Sequence, residues 1–234
     1  MLDNSFHYLL IDFLMLNVVV DLSHYNTPVN FAAAAQGGLL GVVHKATQGL
    51  LEADPEYAAR RPQALAAGLL WGAYHFGTAA DGAAQARHFL STAQPELGVL
   101  LMLDFEAPAT GPGMSCAQAE AFVQAIHAAT GRYPGLYSTR GYLAKTGAEH
   151  SVILANCWLW LAEYAPIPEP QAPPQWRTWT MWQYTDGRQG NEPHEAPGIG
   201  HCDRDIFNGE PQGLHALWGV PALASANLSL LPTS

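Results

Sequence analysis

Residues 98–108 read GVLLMLDFEAP, an apolar run from Val99 to Leu103 that stops on two carboxylates, Asp104 and Glu106. Near-continuous apolar sequence, opened by Gly98 and closed by Pro108, is the pattern of a strand buried on both faces. Side chains at i and i+2 of a strand point the same way, with Cα atoms about 6–7 Å apart. Asp104 and Glu106 therefore leave the strand on one face, at a spacing within the span over which two carboxyl groups jointly cleave a glycosidic bond.

The same punctuation recurs along the chain. Val18–Val20 runs into Asp21, Leu39–Val43 into His44 and Lys45, and Leu69–Ala73 into Tyr74 and His75. Pro134–Leu136 leads to Tyr137, Trp158–Ala162 to Glu163, Trp179–Trp182 to Gln183, and Ile199–Cys202 to Asp203. With the opening segment these make eight expected strands. Parallel strands that each deliver functional groups at their C-terminal ends are how a (β/α) barrel builds a site.

Connections as far as the fifth strand look helical, as parallel crossovers require. Asp54-Pro55 supplies an N-cap and a proline at N1 for a helix running to Gly68. Ser115 and Gln118 fit a capping box for a helix with Phe122, Ile126 and Ala129 on one face and Gly131 at its end. After the sixth strand the connectors change: Pro166–Pro174 holds five prolines, and Asp186–Gly198 is rich in Gly, Pro and charge, so neither can be a helix. The expectation is a single α/β domain, a TIM-like barrel with an incomplete helical ring. It covers 18–218, closed by a helix at Pro211–Trp218, with an N-terminal extension at 1–17 and a tail at 219–234.

Composition narrows the partners. The 234 residues are 49% apolar and 13% charged, enough for one sizeable core, and 20 acidic against 10 basic residues give a net charge of −10. That balance argues against nucleic acid and anionic membranes, which need clustered Lys and Arg. Cys116, Cys157 and Cys202 are an odd number without a CxxC pair, so free thiols are expected and neither a disulfide framework nor a zinc ribbon. Phe6–Val20 is apolar but lacks a basic n-region, is broken by Asp12 and has no small-residue cleavage site before Asp21. The expectation is a chain made in the cytoplasm without a signal peptide and without stable membrane insertion. A monomer without cofactor or metal is expected, and no internal repeat is visible.

A barrel would gather Asp21, Asp104, Glu106 and Asp203 around one mouth. Tyr25, Tyr74, Phe76, Tyr137, Trp160, Trp182 and Tyr184 offer flat apolar platforms for sugar faces, and His24, His75 and Gln183 offer hydrogen bonds to hydroxyls and acetamides. Glycosidic cleavage needs one carboxyl held neutral beside another held charged, and mutual repulsion of close carboxylates separates their pKa values in that sense. Glu106, with the longer arm, is the candidate general acid and Asp104 the candidate stabiliser of positive charge, with Asp21 and Asp203 tuning both. Lys45 is the cation placed to pair with Asp104 and Glu106.

Eight ordered blocks carry a resemblance: VVVDLSHYN at 18–26, HKATQG at 44–49, GAYHF at 72–76, LDFE at 103–106, YPGLYS at 133–138, WLAEY at 160–164, WQYTDG at 182–187 and CDRDIFNG at 202–209. In order, they resemble the conserved blocks of family 25 glycoside hydrolases, the Chalaropsis-type lysozymes, across about 18–210. The resemblance implies a flattened (β/α)5β3 barrel and hydrolysis of the β-1,4 bond between N-acetylmuramic acid and N-acetylglucosamine in peptidoglycan glycan strands, at the cell wall. It implies Glu106 as the acid, Asp104 as the aspartate two residues before it, Asp21 as the strand-one aspartate, and Asp203 or Asp205 as the late one. It further implies retention of anomeric configuration, with the substrate's acetamide as a possible nucleophile oriented by Asp104. The two-residue spacing does not decide between retention and inversion. His44 and Gln48 depart from the family pattern, which bears on substrate preference.

Two other readings fit some of these residues. Carboxylates with His24, His75 and His201 suggest a metal site, but the histidines lack the helical spacing of a zinc hydrolase. A catalytically silent glycan-binding module could use the same barrel, and the intact LDFE stands against it. Phage endolysin, autolysin and injected effector all need the same chemistry, so the sequence does not separate them.

Overall fold

The apolar runs become the staves of a closed barrel. The structure is a computed structural model and describes residues 15–221. Its barrel strands are β1 (Met15–Leu22), β2 (Gly41–Gln48), β3 (Leu70–Phe76), β4 (Val99–Asp104), β5 (Gly135–Ser138), β6 (Trp158–Ala162), β7 (Met181–Thr185) and β8 (Asp203–Asn208). They pair in sequence order, and β8 returns to β1 to close the ring. Helices α1 (Phe31–Gln36), α2 (Tyr57–Ala66), α3 (Gly82–Ala93), α4 (Cys116–Thr130) and α5 (Arg140–Thr146) fill the first five crossovers. No α-helix lies between β6 and β7 or between β7 and β8, where the prolines and glycines accumulate.

One expectation about strand direction does not hold. The stretch Ile199–Cys202 is not the eighth stave: Gly200–His201 forms a small hairpin with Glu195–Ala196, and the barrel strand starts at Asp203. This β8 runs antiparallel to both β7 and β1. The reversal has a functional effect, because the N-terminal end of β8 meets the C-terminal ends of the other strands. Asp203 is the partner of Asp21 across the β1–β8 ladder, and Asp205 lies between Val19 and Gln183.

Strand alternation divides the core in two. Outward side chains such as Val42, Trp71, Leu103, Leu136 and Leu161 pack beneath the helices, while Val19, Val43, Leu100, Met102 and Met181 fill the barrel interior. Gly135 makes room for the interior: a Cβ there would come within 2.2 Å of the Trp158 ring. The floor is closed by α6 (Pro211–Trp218), whose Leu214 and Trp218 join the inner core and whose Trp218 Nε1 donates to the Trp71 carbonyl over 3.0 Å.

Local signals hold where they rest on capping chemistry. Ser115 and Gln118 form the reciprocal capping box of α4, and Gly131 ends it at φ +72°, a left-handed conformation suited to glycine. Phe122 and Ile126 are buried under that helix, but Ala129 is exposed. Asp54 is not the N-cap of α2. The helix begins at Tyr57, and Asp54 Oδ1 instead accepts the Glu56 N–H while Oδ2 turns back to His24. β1 begins at Met15, three residues before the expected boundary at 18, because Met15–Asn17 pair with Ile206–Asn208. The rest of the N-terminal extension, most of the apolar stretch from Phe6, and the tail beyond Pro221 lie outside the described residues. Cys116, Cys157 and Cys202 are free, and among the described residues no helix is long and apolar enough to cross a membrane.

Candidate active site

At the mouth formed by the C-terminal ends of β1 to β7 and the start of β8 lies a cavity of about 200 Å³. Four carboxylates line it, Asp21, Asp104, Glu106 and Asp203, each from a separate stave or, for Glu106, two residues beyond Asp104. The wall is completed by Tyr74, Tyr137, Trp160, Tyr164 and Gln183. Each strand contributes its inward side chain at the same height, so acids remote in sequence meet in one place. A larger depression of about 450 Å³ opens at the opposite end of the barrel, between α3 and α4, but apolar Leu90, Leu97 and Ile126 dominate it and no acids converge there.

Hydrogen bonds hold the floor rigid. Gln183 Nε2 donates to Asp21 Oδ2 over 2.6 Å, and its Oε1 accepts from the hydroxyls of Tyr137, at 2.7 Å, and Tyr164. Trp160 Nε1 donates to Asp205 Oδ1 over 2.7 Å, and its ring meets Tyr137 edge-on at 4.8 Å. With both ends of its amide engaged, Gln183 is fixed in orientation. Asp104 Oδ1 and Asp205 Oδ2 are buried without a hydrogen bond from any described residue.

The electrostatics follow from burial of many acids with little compensating charge. Burial pushes Asp21 well above the usual carboxylate range, and Asp203, Asp205 and Asp104 add repulsion. Burial and then Glu106 do the same to Asp104, while Lys45 opposes them. Glu106 is raised by burial and held back by Lys45. Asp203 is pushed up to about 7, by burial first and then by Asp186 and Glu106. Lys45 is in no ion pair among the described residues; its Nζ donates to Gln48 Oε1 and sits 5.1 Å above the Phe76 ring. These acids titrate as a set, each pushed toward its protonated form by burial.

A profile of the glycosyl hydrolases family 25 matches residues 20–192, a stretch that begins just before Asp21 and includes Asp104, Glu106 and Gln183. The chain belongs to that family. Its relatives include an N,O-diacetylmuramidase of Chalaropsis sp., 33% identical over an alignment of 183 residues that covers 71% of this chain and 86% of that protein. Lysozyme M1 of Streptomyces globisporus is 29% identical over 212 residues, covering 85% of this chain and 70% of its own. Among solved structures, a lysozyme from Streptomyces coelicolor aligns with a TM-score of 0.77 and 29% identity over 87% of this chain and 98% of that one.

Against this family 25 frame, the residues singled out from sequence divide by strand face. Asp21, Asp104, Glu106, Asp203, Tyr74, Tyr137, Trp160 and Gln183 come together at the cavity. Lys45 stands close enough to act on Asp104 and Glu106. His75 does not reach it: one residue after inward Tyr74, it points outward, bonds Thr47 Oγ1 at 2.7 Å and Gln85 Oε1 at 3.1 Å, and stacks on Phe122. Burial pushes it down to about 4, so it is a neutral core histidine. Tyr184 and Trp182 are likewise on the outer face; the Tyr184 hydroxyl donates to the Pro193 carbonyl and accepts from Asn17 Nδ2. Asp205 shares the inward face but is fully buried and does not line the cavity, so direct substrate contact by Asp205 does not hold.

His24 and Tyr25 follow β1 on the same end of the barrel, outside the cavity lining. His24 Nδ1 contacts Asp54 Oδ2 at 2.8 Å, and exposed Tyr25 leans on its ring. His44, at a family departure, faces outward and stacks on Trp71 at 5.5 Å with Arg60 against its Nε2. Tyr164 is the cavity residue that the site list drawn from sequence left out, although WLAEY places Trp160, Ala162 and Tyr164 on one face by period-two alternation.

Proposed function

We propose that this family 25 enzyme is a lysozyme that hydrolyses the β-1,4 bond between N-acetylmuramic acid and N-acetylglucosamine in peptidoglycan. The observation that carries the reading is the convergence of Asp21, Asp104, Glu106 and Asp203 on one open cavity walled by aromatic side chains. Glu106 is the general acid: it is half-buried at the mouth, and desolvation keeps its proton available to a leaving sugar oxygen. Asp104 sits deeper, and its unbonded Oδ1 is an acceptor awaiting a donor, the place an acetamide N–H of the substrate would fill. In that role Asp104 turns the acetamide toward the anomeric carbon and supports the positive charge that develops there. Asp21 and Asp203 line the opposite wall and orient the sugar and the incoming water. Tyr74, Tyr137 and Trp160 supply the apolar surface for a ring face.

The deciding measurement is mass spectrometry of purified peptidoglycan after digestion. New reducing ends that carry muramic acid are expected. Reducing-end glucosamine, released peptides or binding without new ends would each overturn the assignment.

A further inference from the structure

Asp205 is the one acid of the cluster that the reaction above does not use, and its surroundings are specific. The side chain is fully buried beneath the cavity, Oδ1 accepts the Trp160 N–H, and Oδ2 has no donor among the described residues. Neighbouring Arg204 opposes the upward pull of burial on Asp205 through its charge but makes no bond to it. That guanidinium lies on the other face of β8, where Nη1 donates to the Glu195 carbonyl and Nη2 to Asn17 Oδ1. Across the β1–β8 ladder Asp205 pairs with Val19, so Asp21, two residues further along β1, is its diagonal neighbour on the inward face, and the Asp21 carboxyl, whose Oδ2 is already taken by Gln183, acts on it.

Two neighbouring carboxylates, one fully buried and the other at the cavity floor, repel each other, and neither brings a hydrogen to the pair. One proton resolves both problems, turning the repulsion into a short carboxyl–carboxylate hydrogen bond. We propose that Asp21 and Asp205 hold a single proton between them, and that Asp205 is a positioning residue that fixes Asp21 at the cavity floor. The groups around the pair favour this state. Asp203 beside it on β8 and Asp104 from β4 are acids, Gln183 from β7 and Trp160 from β6 are neutral donors, and Tyr74 from β3 and Tyr137 from β5 are neutral hydroxyls. Lys45 from β2 acts on Asp104 and Glu106, not on this pair. A desolvated acid with these neighbours keeps its proton beyond the ordinary carboxylate range, as burial and Asp203 dictate for both members.

The proton is visible without turnover, so the test stands apart from the assigned reaction. Infrared spectra of the full chain at neutral pH should show the carbonyl absorption of a protonated carboxylic acid. Asp205→Asn and Asp21→Asn should each remove the absorption of one carboxyl, because the new amide donates to the remaining acid and lets it ionise; Asp104→Asn should leave that contribution in place. An absorption absent from the wild type, lost in only one of the two variants, or surviving in both would overturn the shared proton. Should Asp205→Asn not fold, Asp21→Asn decides alone. The positioning role rests on the proposed reaction and is read by kinetics. Asp205→Leu should lower kcat by about 10–100-fold, the effect of leaving a buried polar partner unpaired, with KM little changed. Asp205→Asn should restore most of that loss. Equal loss in both variants would overturn the role.

Discussion

Gln183 and Asp21, 162 positions apart in the chain, are joined by a 2.6 Å hydrogen bond from Nε2 to Oδ2. The bond reaches across β8, and the tyrosine hydroxyls on Gln183 Oε1 leave its amide no freedom to turn. Gln183→Leu keeps the volume and removes every one of these bonds. It should cost about 1–3 kcal/mol for each buried group left unpaired. Calorimetry should show the lower Tm, and kcat should fall more than KM rises because Asp21 is no longer held. An unchanged kcat would remove Gln183 from the working site.

Glu106→Gln should reduce kcat by about 10²–10⁴-fold, the contribution of a general acid, while Tm stays near the wild-type value. Asp104→Asn should reduce it by about 10²–10³-fold, as loss of a preorganised charge does. Reducing-end release from purified cell wall measures both, and wild-type rates in either would remove that residue from the mechanism.

Lys45 holds Asp104 and Glu106 down against the upward pull of burial. Replacing it with Met removes the opposing charge, so both carboxyls should rise. Glu106 then stays protonated to higher pH and Asp104 ionises later, and both limbs of the kcat/KM profile should move toward higher pH. A profile that stays put or moves down would contradict the placement of Lys45.

Stability should fall as pH rises beyond about 6.5, the unfolded value of histidine, because below it buried His44 and His75, at about 4 in the folded chain, oppose the acids. Asp203 titrates near 7 in the folded chain against about 3.9 for an unfolded aspartate. Below the lower value both states carry the proton; between the two values the unfolded chain has released it and the folded chain has not, so each step upward favours unfolding. Asp21, Asp104 and Asp205 act in the same direction. The Tm should be highest at mildly acid pH and decline through neutrality, and Asp203→Asn should flatten that slope.

His75→Ala should lower stability by about 3 kcal/mol through a cavity beside Phe122 and an unpaired Thr47 hydroxyl. Turnover by the folded variant should match the wild type. A specific loss of kcat would return His75 to the site.

Seven of the eight strand positions were legible because those staves are apolar runs that lead into polar residues, whereas β8, reading DRDIFN, is not; Ser115 with Gln118 marked α4 through bonds confined to its first turn. The direction of β8 was not legible, since alternation of side chains is identical in parallel and antiparallel strands; only the ladder from Asp21 to Asp203 reveals it. Asp104 and Glu106 could be placed because their spacing alone puts them on one face. His75 and Tyr184 were misplaced for the complementary reason: a run buried on both faces gives no hint of which neighbour looks inward, and each is one step out of phase with Tyr74 or Gln183. Tyr164 had a usable signal in its phase with Trp160.

The reversed β8 also sets an order of events during synthesis. Until that strand is made, the sheet keeps two bare edges at β1 and β7, and the acid-lined cavity lacks both Asp203 and its buried companion Asp205. A reaction that uses Asp203, as proposed above, stays silent in every nascent chain that stops short of the final stave.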